Sequence, residues 1–232
     1  MSPGNKTAVI TGAGRGIGFA IADELAGMGY NLGLTACSKE NIERAAKEIN
    51  LKHPDVKIIT EAFDVTDTDK SAGFIGRVIK ELGDISVLVN NAGYYKSGTS
   101  EMAMDEVIRS LDVNYLAAVR FSQAVLPSMK KSGSGYIFNI ASLCGVESFP
   151  DTGGYSGSKH ALVGYSSSLG QELASSGIKV TAICPSWVNT KGAGDAPMEP
   201  EEMIQTKDIA LTIRYLLGLG ATASVREIVI RC

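Results

Sequence analysis

Thr7-Ala8-Val9-Ile10-Thr11-Gly12-Ala13-Gly14-Arg15-Gly16-Ile17-Gly18 is the stretch that decides the fold. A short apolar run passes directly into a glycine-rich turn, after which Ile17, Ile21, Leu25 and Met28 recur at helical spacing. Glycines permit a tight turn and let a pyrophosphate approach backbone N–H groups at the helix N-terminus. A glycine turn can also be free of any ligand; its place at the opening of a βαβ unit is what argues for a dinucleotide. The pattern is Gly-x-x-x-Gly-x-Gly over Gly12, Gly16 and Gly18, because the third glycine of the Gly-x-Gly-x-x-Gly spacing would fall on Ile17.

The same rhythm continues outward. Apolar runs lie at 7–11, 31–36, 57–62, 85–90, 135–140, 179–184 and 225–230, separated by stripes such as Ile42, Ala45, Ala46, Ile49 and Phe74, Ile75, Val78, Ile79, Leu82. Runs that are apolar throughout predict strands buried on both faces, hence a mostly parallel sheet covered by helices on either side. The expected fold is α/β, a doubly wound Rossmann-type sheet of about seven strands. No linker or repeat interrupts it, so residues 1–232 read as a single dinucleotide-binding domain. Residues 187–206 have little periodicity and follow a strand end, where ligands sit in such sheets, so they are the expected substrate lid.

Composition narrows the function classes. Hydrophobic residues are 44% and charged residues 20% of the 232, and a net charge of −3 gives no electrostatic reason to expect nucleic acid or an anionic membrane. No apolar run approaches the roughly 20 residues of a membrane span, and Met1 to Lys6 lack an apolar signal region. Cys37, Cys144, Cys184 and Cys232 are scattered, which suits reduced thiols and a cytoplasmic setting. His53 and His160 are too far apart to suggest a metal, so none is expected.

Chemistry concentrates in Tyr155-Ser156-Gly157-Ser158-Lys159. At that spacing Tyr155 and Lys159 share a helix face. A lysine cation favours the phenolate and lowers the tyrosine pKa, so the phenol can exchange a proton with a carbonyl/alcohol pair near neutral pH. Joined to a dinucleotide site, the pair reads as hydride-transfer chemistry.

These motifs together resemble the short-chain dehydrogenase/reductase family over nearly the whole chain. Gly12, Gly14, Arg15, Gly16, Ile17 and Gly18 are similar to its nucleotide turn, Asp64-Val65 to its adenine contact, and Asn91-Ala92-Gly93 to its segment beside the adenosine ribose. Asn114, Ser142, Tyr155 and Lys159 fall on its catalytic residues. Pro185, Ser186, Val188 and Thr190 resemble its nicotinamide-contacting segment, with Thr190 on the carboxamide. The resemblance implies that Tyr155 transfers the proton, Ser142 polarises the substrate oxygen, Lys159 also bonds the nicotinamide ribose, and Asn114 holds a relay water.

The acidic residue that would bond the NAD 2′-hydroxyl is Ala36 here, and Arg15 resembles the cation that relatives using NADP place against the 2′-phosphate. Ser38 and Lys39 could add a hydroxyl and a second cation, or cap a helix and face solvent. NADP(H) is favoured, with NAD(H) the alternative. Tyr94, Tyr95, Leu143, Cys144, Phe149 and Trp187 are expected walls for a small carbonyl or alcohol substrate, and lid residues Asp195, Glu199, Glu201 and Glu202 disfavour a polyanion. Two departures from the family stand out: Ser186 replaces the usual glycine, and residues 225–232 end without the Gly-Gly segment of many 3-oxoacyl-acyl carrier protein reductases. Carbonyl reduction, 3-oxoacyl thioester reduction and a non-catalytic nucleotide sensor are the competing functions. The family also implies a homodimer or homotetramer.

Overall fold

Each apolar run holds a strand, and the central strands are covered on both faces. The computed structural model describes residues 6–194 and 196–232, so Asp195 of the lid and Met1 to Asn5 lie outside the described residues. Its strands are β1 (Thr7–Thr11), β2 (Asn31–Ala36), β3 (Ile58–Ala62), β4 (Ile85–Asn90), β5 (Gly135–Ile140), β6 (Ile178–Pro185) and β7 (Glu227–Ile230). They form one seven-stranded sheet in the order β3-β2-β1-β4-β5-β6-β7, and every pairing is parallel. The expectation of a doubly wound parallel sheet of about seven strands is met.

The helices are α1 (Gly16–Gly27), α2 (Lys39–Lys52), α3 (Thr68–Leu82), α4 (Met104–Leu111), α5 (Ala117–Ser132), α6 (Gly153–Glu172) and α7 (Thr206–Gly218). Alternate strand residues feed two cores. Ile10, Leu34, Val89 and Phe138 pack with Ile21 and Leu25 of α1, Ile42 of α2 and Ile213 of α7 on one face. Val9, Leu88, Ile137 and Val180 pack with Phe74 and Val78 of α3, Phe121 and Val125 of α5 and Leu169 of α6 on the other. Two-sided burial of the central strands accords with the parallel arrangement, while the edge strand β7 stays partly exposed. No helix among the described residues is long and apolar enough to cross a membrane.

Capping separates α1 from its neighbours. Ser38 caps α2, Asp67 caps α3, and Gln205 with Asp208 forms a reciprocal cap on α7. The N-cap of α1 is Arg15, which makes no side-chain cap bond, and the first turn holds no acidic residue. Its leading N–H groups are therefore left for something else.

Between α4 and α5 the helix widens into one π-helical turn, Asp112–Leu116, that carries Asn114. The loop after β6 is pinned at its base by a bridge between Val188 and Ile204, both buried, just before α7 begins. Ala117 and Ala118 are buried against the sheet.

Candidate active site

Strand order reverses between β1 and β4, and the segments following six of the strands meet at the carboxyl edge beside that reversal. Gly12 to Gly18 follow β1, Ser38 follows β2, Asp64 and Val65 follow β3, Asn91 to Gly93 follow β4, Ser142 follows β5, and Ser186 to Thr190 follow Pro185 at the end of β6. Thr190 reaches back to the glycine turn: a Cβ at Gly16 would stand 3.3 Å from its Cγ2.

The turn itself is built around two glycines. Gly12 has φ +66°, and a Cβ on it would lie 2.9 Å from Asn91 Nδ2; a Cβ on Gly18 would lie 2.4 Å from the Gly12 carbonyl oxygen. Asn91 Nδ2 donates to the carbonyls of Thr11 (3.0 Å) and Gly12 (3.2 Å), while Thr11 Oγ1 accepts from the N–H groups of Asn91 and Ala92, both at 3.0 Å. The Asn91 amide nitrogen is thereby spent on holding the turn. With the turn braced so, the uncapped α1 start presents N–H groups that no side chain among the described residues accepts from. This fits an anionic pyrophosphate.

Other cofactor candidates are placed as follows. Arg15 is exposed and makes no hydrogen bond or ion pair among the described residues. Ser38 Oγ accepts from Asn41 N at 3.2 Å, so it is the helix cap and keeps its own proton to donate; Lys39 is solvated beside Glu43. Asp64 is held by Thr66 through N–H (3.0 Å) and Oγ1 (2.8 Å) and by Arg109 (2.6 Å), and these partners keep its carboxyl below the usual range despite partial burial. Ser186 turns its hydroxyl to Cys232, accepting from its N–H at 3.1 Å.

The four catalytic candidates are brought together. Ser142 opens a single 3-10 turn, Leu143–Gly145, and its Oγ accepts from Cys144 N at 3.1 Å. Ser142 also stands near enough to Tyr155 to act on its hydroxyl, holding the phenol's pKa down. Lys159, one helical turn on, is 4% exposed and donates to the Ile140 carbonyl at 2.9 Å, with its Nζ 5.7 Å from the Tyr155 ring centre. Position 93 faces the same place: a Cβ there would lie 3.5 Å from Asn114 Oδ1 and 3.9 Å from Lys159 Nζ.

One expectation needs correcting. Burial pushes the Tyr155 pKa up to about 12, with the Ser142 bond acting against it; the lysine does not appear among its causes. Lys159 is itself pushed down to about 8 by burial. The phenol is therefore held as an acid, not eased towards phenolate, because desolvation outweighs a cation that hydrogen-bonds a carbonyl. Asn114 stands beside this pair. Its Nδ2 donates to Tyr94 O (2.8 Å) and Ser158 Oγ (2.9 Å), and its Oδ1 accepts from Tyr94 N at 2.7 Å. Both amide protons are used, so this side chain clamps the Tyr94 peptide and only an Oδ1 lone pair is left for a relay water.

Several supporting residues had no sequence signal. Ser158 links Asn114 to the helix carrying Tyr155, donating to Tyr155 O at 2.7 Å, and stood unread inside the Tyr-x-x-x-Lys motif. Asn90 donates to Asn139 (2.8 Å) and Asn139 to Ser166 (2.7 Å), tying β4, β5 and α6 beneath the site. Tyr95 sets its ring edge-on to Tyr155, centroids 5.1 Å apart.

A family model described as short chain dehydrogenase matches residues 6–200. This chain belongs to the short-chain dehydrogenase family. An uncharacterized oxidoreductase of Staphylococcus saprophyticus is 34% identical over 228 residues, covering 98% of this short-chain dehydrogenase and 97% of the relative. Among solved structures, a β-ketoacyl-[ACP] reductase of Bacteroides thetaiotaomicron is 37% identical with a TM-score of 0.87, covering 98% of this chain and 97% of that one. An alcohol dehydrogenase of the archaeon Thermococcus sibiricus, complexed with 5-hydroxy-NADP, is 32% identical with a TM-score of 0.87, covering 97% and 95%. This short-chain dehydrogenase is accordingly an NAD(P)-dependent oxidoreductase.

Proposed function

We propose that this enzyme reduces a ketone or aldehyde to the alcohol, or runs the reverse oxidation, with NADP(H) in preference to NAD(H). The observation that carries it is the placing of Tyr155 beside Ser142 and one turn from the buried Lys159, whose Nζ lies 5.7 Å from the Tyr155 ring centre. A bound nicotinamide supplies or accepts the hydride. Ser142 donates to the substrate oxygen and polarises it, and Tyr155 gives that oxygen its proton as negative charge develops. With its pKa raised by burial, the phenol keeps its proton at neutral pH and has one to give as the carbonyl is reduced.

The glycine turn with Arg15, Ser38, Asp64-Val65 and Asn91 to Gly93 would hold the dinucleotide, and Pro185, Ser186, Val188 and Thr190 its nicotinamide end. NADP is supported by Ala36, which puts no carboxylate at the end of β2, and by Arg15, whose guanidinium is unspent. The loop at 187–206 serves as the substrate lid. Tyr95, Phe149 and Trp187, each 42–55% exposed, offer apolar wall for a small or medium substrate. A dimer or tetramer is supported by Met104, Ile108 and Leu116, exposed at 69%, 59% and 40% along the α4–α5 helix.

A second reading is 3-oxoacyl thioester reduction, favoured by the 37% identity to the Bacteroides β-ketoacyl-[ACP] reductase. Titrating NADPH and NADH separately, by nicotinamide fluorescence, tests the cofactor; tighter NADPH binding is expected. Turnover of simple ketones against acetoacetyl-CoA then separates the two substrates. Tyr155→Phe should keep NADPH binding and lose turnover, whereas a nucleotide sensor would keep its output.

A further inference from the structure

Arg109 on α4 stands outside every motif that carries the functional reading, yet it joins the two ends of the site. Its guanidinium donates to Asp64 Oδ2 at 2.6 Å and Thr66 Oγ1 at 3.4 Å, and lies 6.0 Å from the centre of the Tyr94 ring. The Tyr94 hydroxyl donates to Glu106 Oε2 at 2.5 Å, and Glu106 precedes Arg109 by one turn on the same helix. The Tyr94 peptide is gripped on both sides by Asn114. The next residue, Tyr95, lies against Tyr155. A continuous set of contacts thus runs from Asp64, beside Cys37 at the end of β2, to the proton donor.

Stability does not explain this arrangement. The Arg109–Asp64 pair is 40% exposed on each side, and such half-solvated pairs add little to folding. What the pair fixes is position: the Asp64 carboxylate is oriented and α4 is tethered to it. We propose that Arg109 is a positioning residue that couples the adenosine end of the cofactor crevice to the substrate wall of Tyr94 and Tyr95. An adenosine moiety against Asp64 then stiffens that wall, and a substrate on the wall tightens the adenosine end by the same factor. The inference rests on the dinucleotide reading above.

The test uses a cofactor cut in two. Reduced nicotinamide mononucleotide is the hydride donor, and adenosine 2′,5′-bisphosphate is added as the separate adenosine half. In the native chain the bisphosphate should lower the ketone KM about five- to tenfold, the modest end of allosteric coupling. It should also slow hydrogen exchange of the amides at 93–98. In Arg109→Ala the KM effect should shrink to within about twofold and the added protection disappear, with KM for the intact system moving more than kcat. Arg109→Lys keeps the charge but not the fork, and should restore part of the response. Glu106→Gln provides a second, milder break should Arg109→Ala fold poorly. Stimulation equal in native and Arg109→Ala chains would overturn the coupling alone. So would no stimulation in a native chain that binds NADPH. A native chain that binds no NADPH would overturn the dinucleotide reading and the coupling with it.

Discussion

Replacing Lys159 with Met should make the protein inactive and more stable. The buried ammonium titrates at about 8 where it would ordinarily titrate at 10.5, so keeping it charged costs the fold about 3 kcal/mol at neutral pH. The sign follows from linkage. Below about pH 8 both folded and unfolded chains carry the proton, and the whole penalty is present. Between about 8 and 10.5 the folded lysine has lost its proton while the unfolded one keeps it, so the native chain gains stability as pH rises, and above 10.5 the penalty is gone. Lys159→Met removes the penalty at every pH but leaves the Ile140 carbonyl without its 2.9 Å donor, a loss of about 1–2 kcal/mol. The variant should therefore exceed the native chain by about 1–2 kcal/mol at pH 7. That advantage should shrink by about 2 kcal/mol by pH 10, where the native chain draws level or ahead. Urea melts of both chains across pH 7 to 10 give the difference directly, because groups common to both cancel. A gap that stays constant over that range, or a variant already less stable at pH 7, would refute the claim that burial suppresses the lysine's charge.

Three further outcomes follow from the geometry. Carbonyl reduction should hold level through neutral pH and decline above about 8 as Lys159 loses its proton, while alcohol oxidation should rise with pH as Tyr155 becomes able to accept one; initial rates in both directions over pH 6 to 10 check this. Arg15→Glu should weaken NADPH binding by about tenfold or more and NADH binding less, measured by fluorescence titration, on the proposal that Arg15 meets the 2′-phosphate. Gly18→Ala places a Cβ 2.4 Å from the Gly12 carbonyl oxygen and should cost about 1–3 kcal/mol of stability through overpacking, read as a lowered Tm even without cofactor.

The Gly18 outcome bears on what the glycine pattern means. A side chain at Gly12 or Gly18 would also meet protein atoms: Asn91, Ala92 and the turn's own carbonyl. The glycines first let β1, the Asn91 segment and α1 pack together. What that packing leaves open is the uncapped α1 start, where the proposed pyrophosphate would sit.

Legibility divides along sequence distance. The strands were readable because both-sided burial writes a continuous apolar run, as in Val87 to Val89, and boundaries differ by one or two residues: Lys57 precedes β3, Ile178 and Pro185 extend β6, and Val225 and Arg226 precede β7. Catalytic residues were readable because Tyr155 and Lys159 share one helix and the others sit at strand ends. The causes of their behaviour were not. Tyr155 is raised by desolvation, and the spacing of Tyr and Lys says nothing about how deeply either is buried. Asn114 meets Tyr94 across 20 positions, and Arg109 meets Asp64 across 45, with nothing periodic to announce either pair. A local pattern names which groups can do chemistry, but the protonation state they rest in is set by neighbours delivered through the sheet. For this site the difference is plain: the pattern alone suggests a phenol eased towards phenolate, whereas burial in the packed structure raises its pKa.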